Sequence, residues 1–242
     1  MNVLIYDSYE KMSEAAAMIF VSQILSKPDS ILGLATGSTP VGLYENLVKK
    51  YREGIIDFKK VQTFNLDEYI GLEKTNDQSY DYFMWENLFS KINIEKENVH
   101  LPNGKAADIQ KECDEYEASI DKAGKIDIQL LGIGVNGHIG FNEPADSFAR
   151  QTHAVKLDQK TIDSNARFFN NPDEVPKSAI SMGIGTIMKA KKIVMVASGA
   201  NKADIVYDMV CGNVTPQVQA SILQFHKNVT VFVDAEAGSK LK

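Results

Sequence analysis

Apolar residues fall along this chain in two rhythms. Short runs with almost no polar interruption are "VLIY" (3–6), "ILGLAT" (31–36), "VQTFNL" (61–66), "IDIQLLGIG" (126–134), "KIVMVASG" (192–199) and "VTVFVD" (229–234). Such runs predict strands buried on both faces. Helical periodicity fills the stretches between them, at roughly 8–26, 40–53, 79–91, 106–123 and 201–211. The alternation predicts an α/β fold, a doubly wound and mainly parallel sheet with helices on both faces. No repeat, low-complexity stretch or long linker interrupts it, so residues 1–242 are expected to form one domain. In sheets of this kind ligands bind beyond the carboxyl ends of the strands. Those ends hold the candidate chemistry.

Composition narrows the function class. The net charge is −6 and no basic tract is present, which argues against general nucleic-acid binding. No apolar run is long enough to span a membrane. The start, "MNVLIYDSYEKMSEAA", has acids where a signal peptide needs basic residues, so a cytoplasmic protein is expected. Cys113 and Cys211 are isolated and suit reduced thiols in helices. The four histidines show no metal-ligand spacing, and no metal site is expected.

Four strand ends carry unusual residues. In "LATGSTPVGLY" the strand is expected to end at Thr36 and Gly37 to allow a tight turn. Ser38 and Thr39 stand at an N-cap and Pro40 at the first helical position. Free N–H groups there favour a phosphate, although an ordinary capped helix explains the same residues. In "TFNLDEYIGL" two acids follow the strand. Strand alternation sends only one of them into a cleft, and Asp67, nearest the apolar run, suits a general base or a turn-forming Asp.

The third end is "GIGVNGHIGFNEP" (132–144). Gly132, Gly134 and Gly137 match G-x-G-x-x-G, but a dinucleotide fingerprint needs a helix next, and Pro144 follows instead. Asp158 lies near the offset of a ribose-binding acid and keeps that idea open. The better reading is a loop presenting His138 and Glu143 for proton traffic, against a His that is merely structural. In the fourth, "VASGANKADIV", Lys202 stands in a first helical turn, where a cation is unfavourable unless an anion is near. A solvated lysine is the plainer account. The segment "TIDSNARFFNNPDEVPKS" (161–178) suits a mobile lid bearing Arg167, and "YDYFMWENLF" (80–89) is expected to be core through Tyr82, Phe83, Trp85, Leu88 and Phe89.

Together the motifs "LATGSTP", "FNLDEYIGL", "GIGVNGHIGFNEP", "NARFF" and "SGANKA" resemble the glucosamine-6-phosphate deaminases, over about residues 1 to 235. The resemblance implies a single Rossmann-like α/β domain with a lid at about 158–178 and no cofactor. It implies conversion of glucosamine 6-phosphate and water to fructose 6-phosphate and ammonia. It places Asp67 as the base moving a proton from C2 to C1. His138, with Glu143 orienting it, carries protons in ring opening. Gly37, Ser38, Thr39, Arg167 and Lys202 hold the phosphate.

Two departures qualify the match. Some family members have an acid where this chain has Asn136, which can orient an imidazole but cannot stabilise its cation by charge. Some are hexamers activated by N-acetylglucosamine 6-phosphate through a basic pair after the NEP motif. Here "ADSFARQTHAVKL" puts His153 and Val155 at those places, so no such activation is expected. The alternatives are a sugar-phosphate lactonase, a non-catalytic sugar-phosphate sensor and, more distantly, a dinucleotide oxidoreductase. The implied partner is a small sugar phosphate, not nucleic acid or membrane; composition says nothing of self-association.

Overall fold

The computed structural model describes residues 1–169, 171 and 174–241. In chain order its elements are β1 (Asn2–Tyr6), α1 (Tyr9–Ser26), β2 (Ile31–Leu34), α2 (Val41–Arg52), β3 (Gln62–Asn65), β4 (Asp67–Tyr69), α3 (Tyr80–Asn87) and β5 (Val99–His100). Then come α4 (Ile109–Ala123), β6 (Ile128–Leu131), β7 (His153–Lys156), α5 (Gln159–Asn165), β8 (Ser178–Ser181), α6 (Ile184–Ile187), β9 (Lys192–Ala197), α7 (Ala203–Cys211) and β10 (Val229–Asp234). Helix starts follow local chemistry. Ser8, Ser79, Asp108 and Asp158 each turn a side-chain oxygen onto a backbone N–H of the first turn.

Seven strands form a parallel sheet in the order β1-β10-β9-β6-β2-β3-β5. β2 and β6 are buried at every residue, as strands covered on both faces must be. From β2 the chain builds outward through β3 and β5. From β6 it builds the other way through β9 and β10. The order therefore reverses between β2 and β6, and a crevice opens beyond their carboxyl ends. At the opposite end the two strands are pinned together. Asp127 accepts from the Ile31 N–H at 2.8 Å, from Lys27 Nζ at 2.6 Å and from Lys191 Nζ at 2.7 Å.

The parallel sheet occupies the predicted runs, with shorter strands than expected. β2 stops at Leu34 and β6 at Leu131, because the chain turns into the loops that line the crevice. The expected helices at 106–123 and 201–211 begin at Ile109 and Ala203, the second after a 3-10 turn at Ala200–Lys202. Cys113 and Cys211 lie in helices with free thiols. A second sheet was not anticipated. β4, β8 and β7 pair antiparallel, with Asp67 opposite Ser181 and Lys156 opposite Ser178. Among the described residues no helix is long and apolar enough to cross a membrane.

Candidate active site

A cavity of about 550 Å³ fills the crevice. Its walls are the loop after β2, the loop after β6, the first residue of β4, the segment of α5 and the 3-10 turn after it, and the turn before α7. Gly37, Ser38, Thr39, Asp67, His138, Arg167 and Lys202 all line it. Residues singled out on five separate segments therefore meet in one place. Among the described residues no group of three or more His, Cys, Asp or Glu is placed to hold a metal ion.

The loop after β2 differs from expectation at its helix start. Pro40, not Ser38 or Thr39, is the N-cap of α2, and no side chain caps there. Tyr9 of α1 does that work: its hydroxyl accepts from the Gly42 N–H at 2.8 Å and lies 3.0 Å from the Thr39 carbonyl, to which it donates. The hydroxyls of Ser38 and Thr39 are thereby left out of the helix cap. Gly37 has φ +103°, which the turn requires and other residues rarely adopt. Across the cavity, Lys202 Nζ donates to the Ile133 carbonyl at 2.6 Å. Burial first, and the Arg167 guanidinium second, bring the Lys202 ammonium down to about 8. A buried lysine with its charge destabilised beside a second cation forms a site that an anion relieves. Arg167 sits on the 3-10 turn Ala166–Phe168. Of the expected lid at 158–178, residues 170, 172 and 173 lie outside the described residues.

The Asp67–Glu68 pair separates as strand alternation demands. Asp67 faces the cavity. Glu68 faces the start of α3 and accepts from the N–H groups of Tyr69, Tyr80 and Asp81 at 2.8, 3.0 and 2.9 Å. Burial, with the Glu68 charge adding to it, pushes the Asp67 carboxyl up to about 8. Its surroundings are aromatic: Tyr80 and Phe141, which stack at 5.8 Å, line the same cavity.

Gly134 of the 132–144 loop serves side-chain packing. A Cβ on Gly134 would lie within 2.5 Å of the His138 ring, so glycine there makes room for the imidazole. No helix follows, and the dinucleotide reading fails on that ground. Asp158, its supposed ribose acid, caps α5 instead. His138 Nδ1 lies 3.2 Å from Glu143 Oε2. Asn136 Nδ2 donates to the same oxygen at 2.7 Å, and its Oδ1 accepts from the His138 backbone N–H at 3.3 Å. Asn136 thus orients the carboxylate, where the sequence suggested the imidazole. Burial raises the Glu143 carboxyl, but hydrogen bonding to His138, the imidazolium charge, and hydrogen bonds from Thr161 and Asn136 outweigh it and bring it down to about 2.

Sequence reasoning missed Tyr80, Phe141, Thr161 and Ser198 among the lining residues. The aromatic segment at 80–89 is indeed core at Leu88 and Phe89, but Tyr82 is exposed and Tyr80 turns to the cavity. Glu68 was the available signal for Tyr80. An acid that caps a helix start draws that start to its own strand.

A model of the family described as "Glucosamine-6-phosphate isomerases/6-phosphogluconolactonase" matches residues 7–232. The chain belongs to that family. Within the glucosamine-6-phosphate isomerase/6-phosphogluconolactonase family it is 61% identical over 241 residues to the glucosamine-6-phosphate deaminase of Clostridioides difficile (strain 630), covering 100% of this chain and 97% of that protein. It is 55% identical to the enzyme of that name from Clostridium botulinum (strain Kyoto / Type A2), covering 100% of this chain and 99% of that one. The solved structure of a monomeric glucosamine-6-phosphate deaminase superposes with a TM-score of 0.97 at 44% identity, over 99% of this chain and 100% of that one. A 6-phosphogluconolactonase from Trypanosoma brucei superposes with a TM-score of 0.75 at 18% identity, over 100% and 98%, and shares the fold.

Proposed function

We propose that the chain is a single catalytic domain that converts glucosamine 6-phosphate and water to fructose 6-phosphate and ammonia. One observation carries the reading. A buried, proton-retaining carboxyl, two neighbouring cations and a histidine that is backed by the Glu143 carboxylate line the same cavity. The curated relatives named glucosamine-6-phosphate deaminase support it along the whole chain. They favour it over the lactonase reading, which is supported by the shared family model and the fold but by none of these relatives.

In this reading the phosphate is the handle. It sits among the Gly37–Thr39 loop, Arg167 and Lys202, and its binding energy holds C1 and C2 at Asp67. His138 directs Nδ1 to Glu143, which leaves Nε2 for the sugar. Through it a proton moves between the ring oxygen and the anomeric hydroxyl, and the pyranose opens. Asp67 then takes the C2 proton and returns it to C1. A base with its pKa near the working pH serves both halves of that transfer. The substrate's ammonium, arriving beside Asp67, favours its ionised form. Loss of ammonia follows from the resulting enolamine and iminium-type intermediates. In this reading the stretch Thr161–Arg167, which lines the cavity, serves as its lid. A substrate bearing a phosphate dianion does not cross membranes unaided, which supports a cytoplasmic site of action.

A coupled ammonia assay with glucosamine 6-phosphate tests the proposal. Ammonia and fructose 6-phosphate are expected in equal amounts. Hydrolysis of 6-phosphogluconolactone without ammonia release from the amino sugar would overturn it.

A further inference from the structure

The turn that bears Lys202 is held from behind by a carboxylate that no step of the proposed reaction uses. Asp234 is the last residue of β10. The ladder between β9 and β10 sets Val233 beside Ala197 and so brings Asp234 level with the turn that follows β9. Both of its oxygens are engaged there. Oδ2 accepts from the Ser198 hydroxyl at 2.5 Å and from the Gly199 N–H at 3.0 Å. Oδ1 lies 3.2 Å from the same N–H and accepts from the Ala237 N–H at 2.8 Å. Asp234 is buried and does not line the cavity, whereas Ser198, Asn201 and Lys202 do. The path from the carboxylate to the cation is short. Gly199 has φ +92°, and its carbonyl accepts from the Lys202 N–H at 3.0 Å.

We propose that Asp234 is a positioning residue for phosphate binding, holding the Gly199 turn in the conformation that aims Lys202 into the cavity. The Ile133 carbonyl fixes only the tip of the lysine, at the far end of a flexible four-carbon stem. The base of the stem is set by the turn. Glycine permits a positive φ without preferring it, so the turn needs a tie from outside. Asp234 supplies that tie by gripping the Gly199 N–H on one side of the residue whose carbonyl holds Lys202 on the other. A carboxylate behind an anion site would by its charge alone oppose a phosphate. The donors around it explain its presence: the Ser198 hydroxyl and the N–H groups of Gly199 and Ala237 all need a strong acceptor, and a carboxylate serves them at once. Charge and position thus act on phosphate affinity with opposite signs, and one substitution tells them apart.

This inference rests on the reading of the cavity as a sugar-phosphate site, and the test keeps the two apart. Asp234→Asn keeps the shape, removes the charge and turns an amide toward groups that need an acceptor. Calorimetric titration is expected to show its affinity for fructose 6-phosphate and for inorganic phosphate lowered on the order of tenfold. In the ammonia assay KM should rise in step while kcat stays within about twofold of the wild type. Loss of the charge alone would tighten both ligands instead. Gly199→Ala strains the same turn at φ +92° and leaves Asp234 in place; the added Cβ would find only Asn201 Oδ1 close by, at 3.2 Å. The same loss of affinity is expected, and this variant carries the test if the asparagine variant does not fold. Unchanged or tighter phosphate binding in the folded variant overturns the proposal, and so does a fall in kcat with affinity unaltered. A wild type that binds phosphate but releases no ammonia from glucosamine 6-phosphate would overturn the functional reading and leave the role of Asp234 standing.

Discussion

Asp67 and Glu143 stand on either side of one imidazole-bearing wall, and their surroundings push two similar carboxyls in opposite directions. Asp67 opens β4 among aromatic rings. Burial raises Tyr44, Tyr69, Tyr80 and Tyr116, and the Asp67 charge adds a smaller push to each. Burial leaves it holding its proton until about 8. Glu143 stands behind His138 and is less deeply buried, with a side chain 9% exposed. It nonetheless ionises down to about 2, because His138, Thr161 and Asn136 all offer it hydrogen bonds. Burial alone does not set a carboxyl's charge; the count of donors around it does. One environment keeps a carboxyl protonated and the other holds a standing anion.

The largest expected effect separates these roles. Asp67→Asn removes the base and keeps the shape, so kcat should fall by roughly 10²-fold or more while affinity for fructose 6-phosphate is spared. Near-normal turnover in a steady-state assay would remove Asp67 from the chemistry. The same variant carries a stability signature. Between its unfolded value of 3.8 and its folded value of about 8, Asp67 is ionised in the unfolded chain and protonated in the folded one. That difference favours unfolding increasingly as pH rises through the window, and the cost is complete above it. Asp67→Asn should therefore melt higher than the wild type at pH 8 and alike near pH 3, by differential scanning calorimetry.

Glu143→Gln should show the reverse pattern. A depressed carboxyl contributes stability above its unfolded value of 4.5 and loses it as pH falls toward about 2. The variant should melt lower than the wild type at neutral pH, with the gap closing on acidification. Its kcat should drop by about tenfold to a hundredfold, since the imidazole loses its fixed anion. A variant as stable as the wild type at neutral pH would erase the contrast between the two carboxyls.

The cations define what lies outside the comparison. Arg167→Ala and Lys202→Ala should each weaken fructose 6-phosphate about tenfold or more, the value of a charged hydrogen bond, by calorimetric titration. The pH dependence attached to Asp67 should be unchanged in both. Unaltered affinity would place the phosphate elsewhere.

The smallest effect is expected at Asn136. Asn136→Asp sets a carboxylate 2.7 Å from Glu143 Oε2, where its amide now donates. Two carboxyls that close share a proton, and the second ionises at higher pH. The acidic limb of kcat/KM should then move up by about one unit, with the substrate's own ionisations as common background. A limb at the same pH in both proteins would mean that this loop holds substrate without moving protons.

The parallel sheet and several residues that line the cavity were readable in the chain because both are local. A run such as "KIVMVASG" announces a buried strand by itself, and Asp67, His138 and Lys202 stand at the ends of such runs. The small antiparallel sheet was not readable. β4 has three residues and β7 and β8 four each, too few for a period to show. The pairing of Asp67 with Ser181 joins segments far apart along the chain. Asn136 was recognised by type, but the direction of its amide depends on where Glu143 arrives. The same is true of Tyr9, a residue of the first helix whose hydroxyl finishes the start of the second. Thr161 carried no local mark, because its burial comes from what α5 docks against.

The small sheet has a consequence for descent. It is an excursion from the parallel sheet: β4 leaves after β3, and β7, α5 and β8 leave between β6 and β9. The crevice and its glycine turn belong to the larger sheet, whereas Asp67 and Arg167 arrive with the excursions. A lineage could keep the glycine turn and Lys202 unchanged and revise the residues opposite them, Asp67 and Arg167 included, by rewriting the excursions alone. The two parts can accumulate change at different rates, because the β2–β6 frame is pinned at its far end, away from the crevice, by Asp127, Lys27 and Lys191.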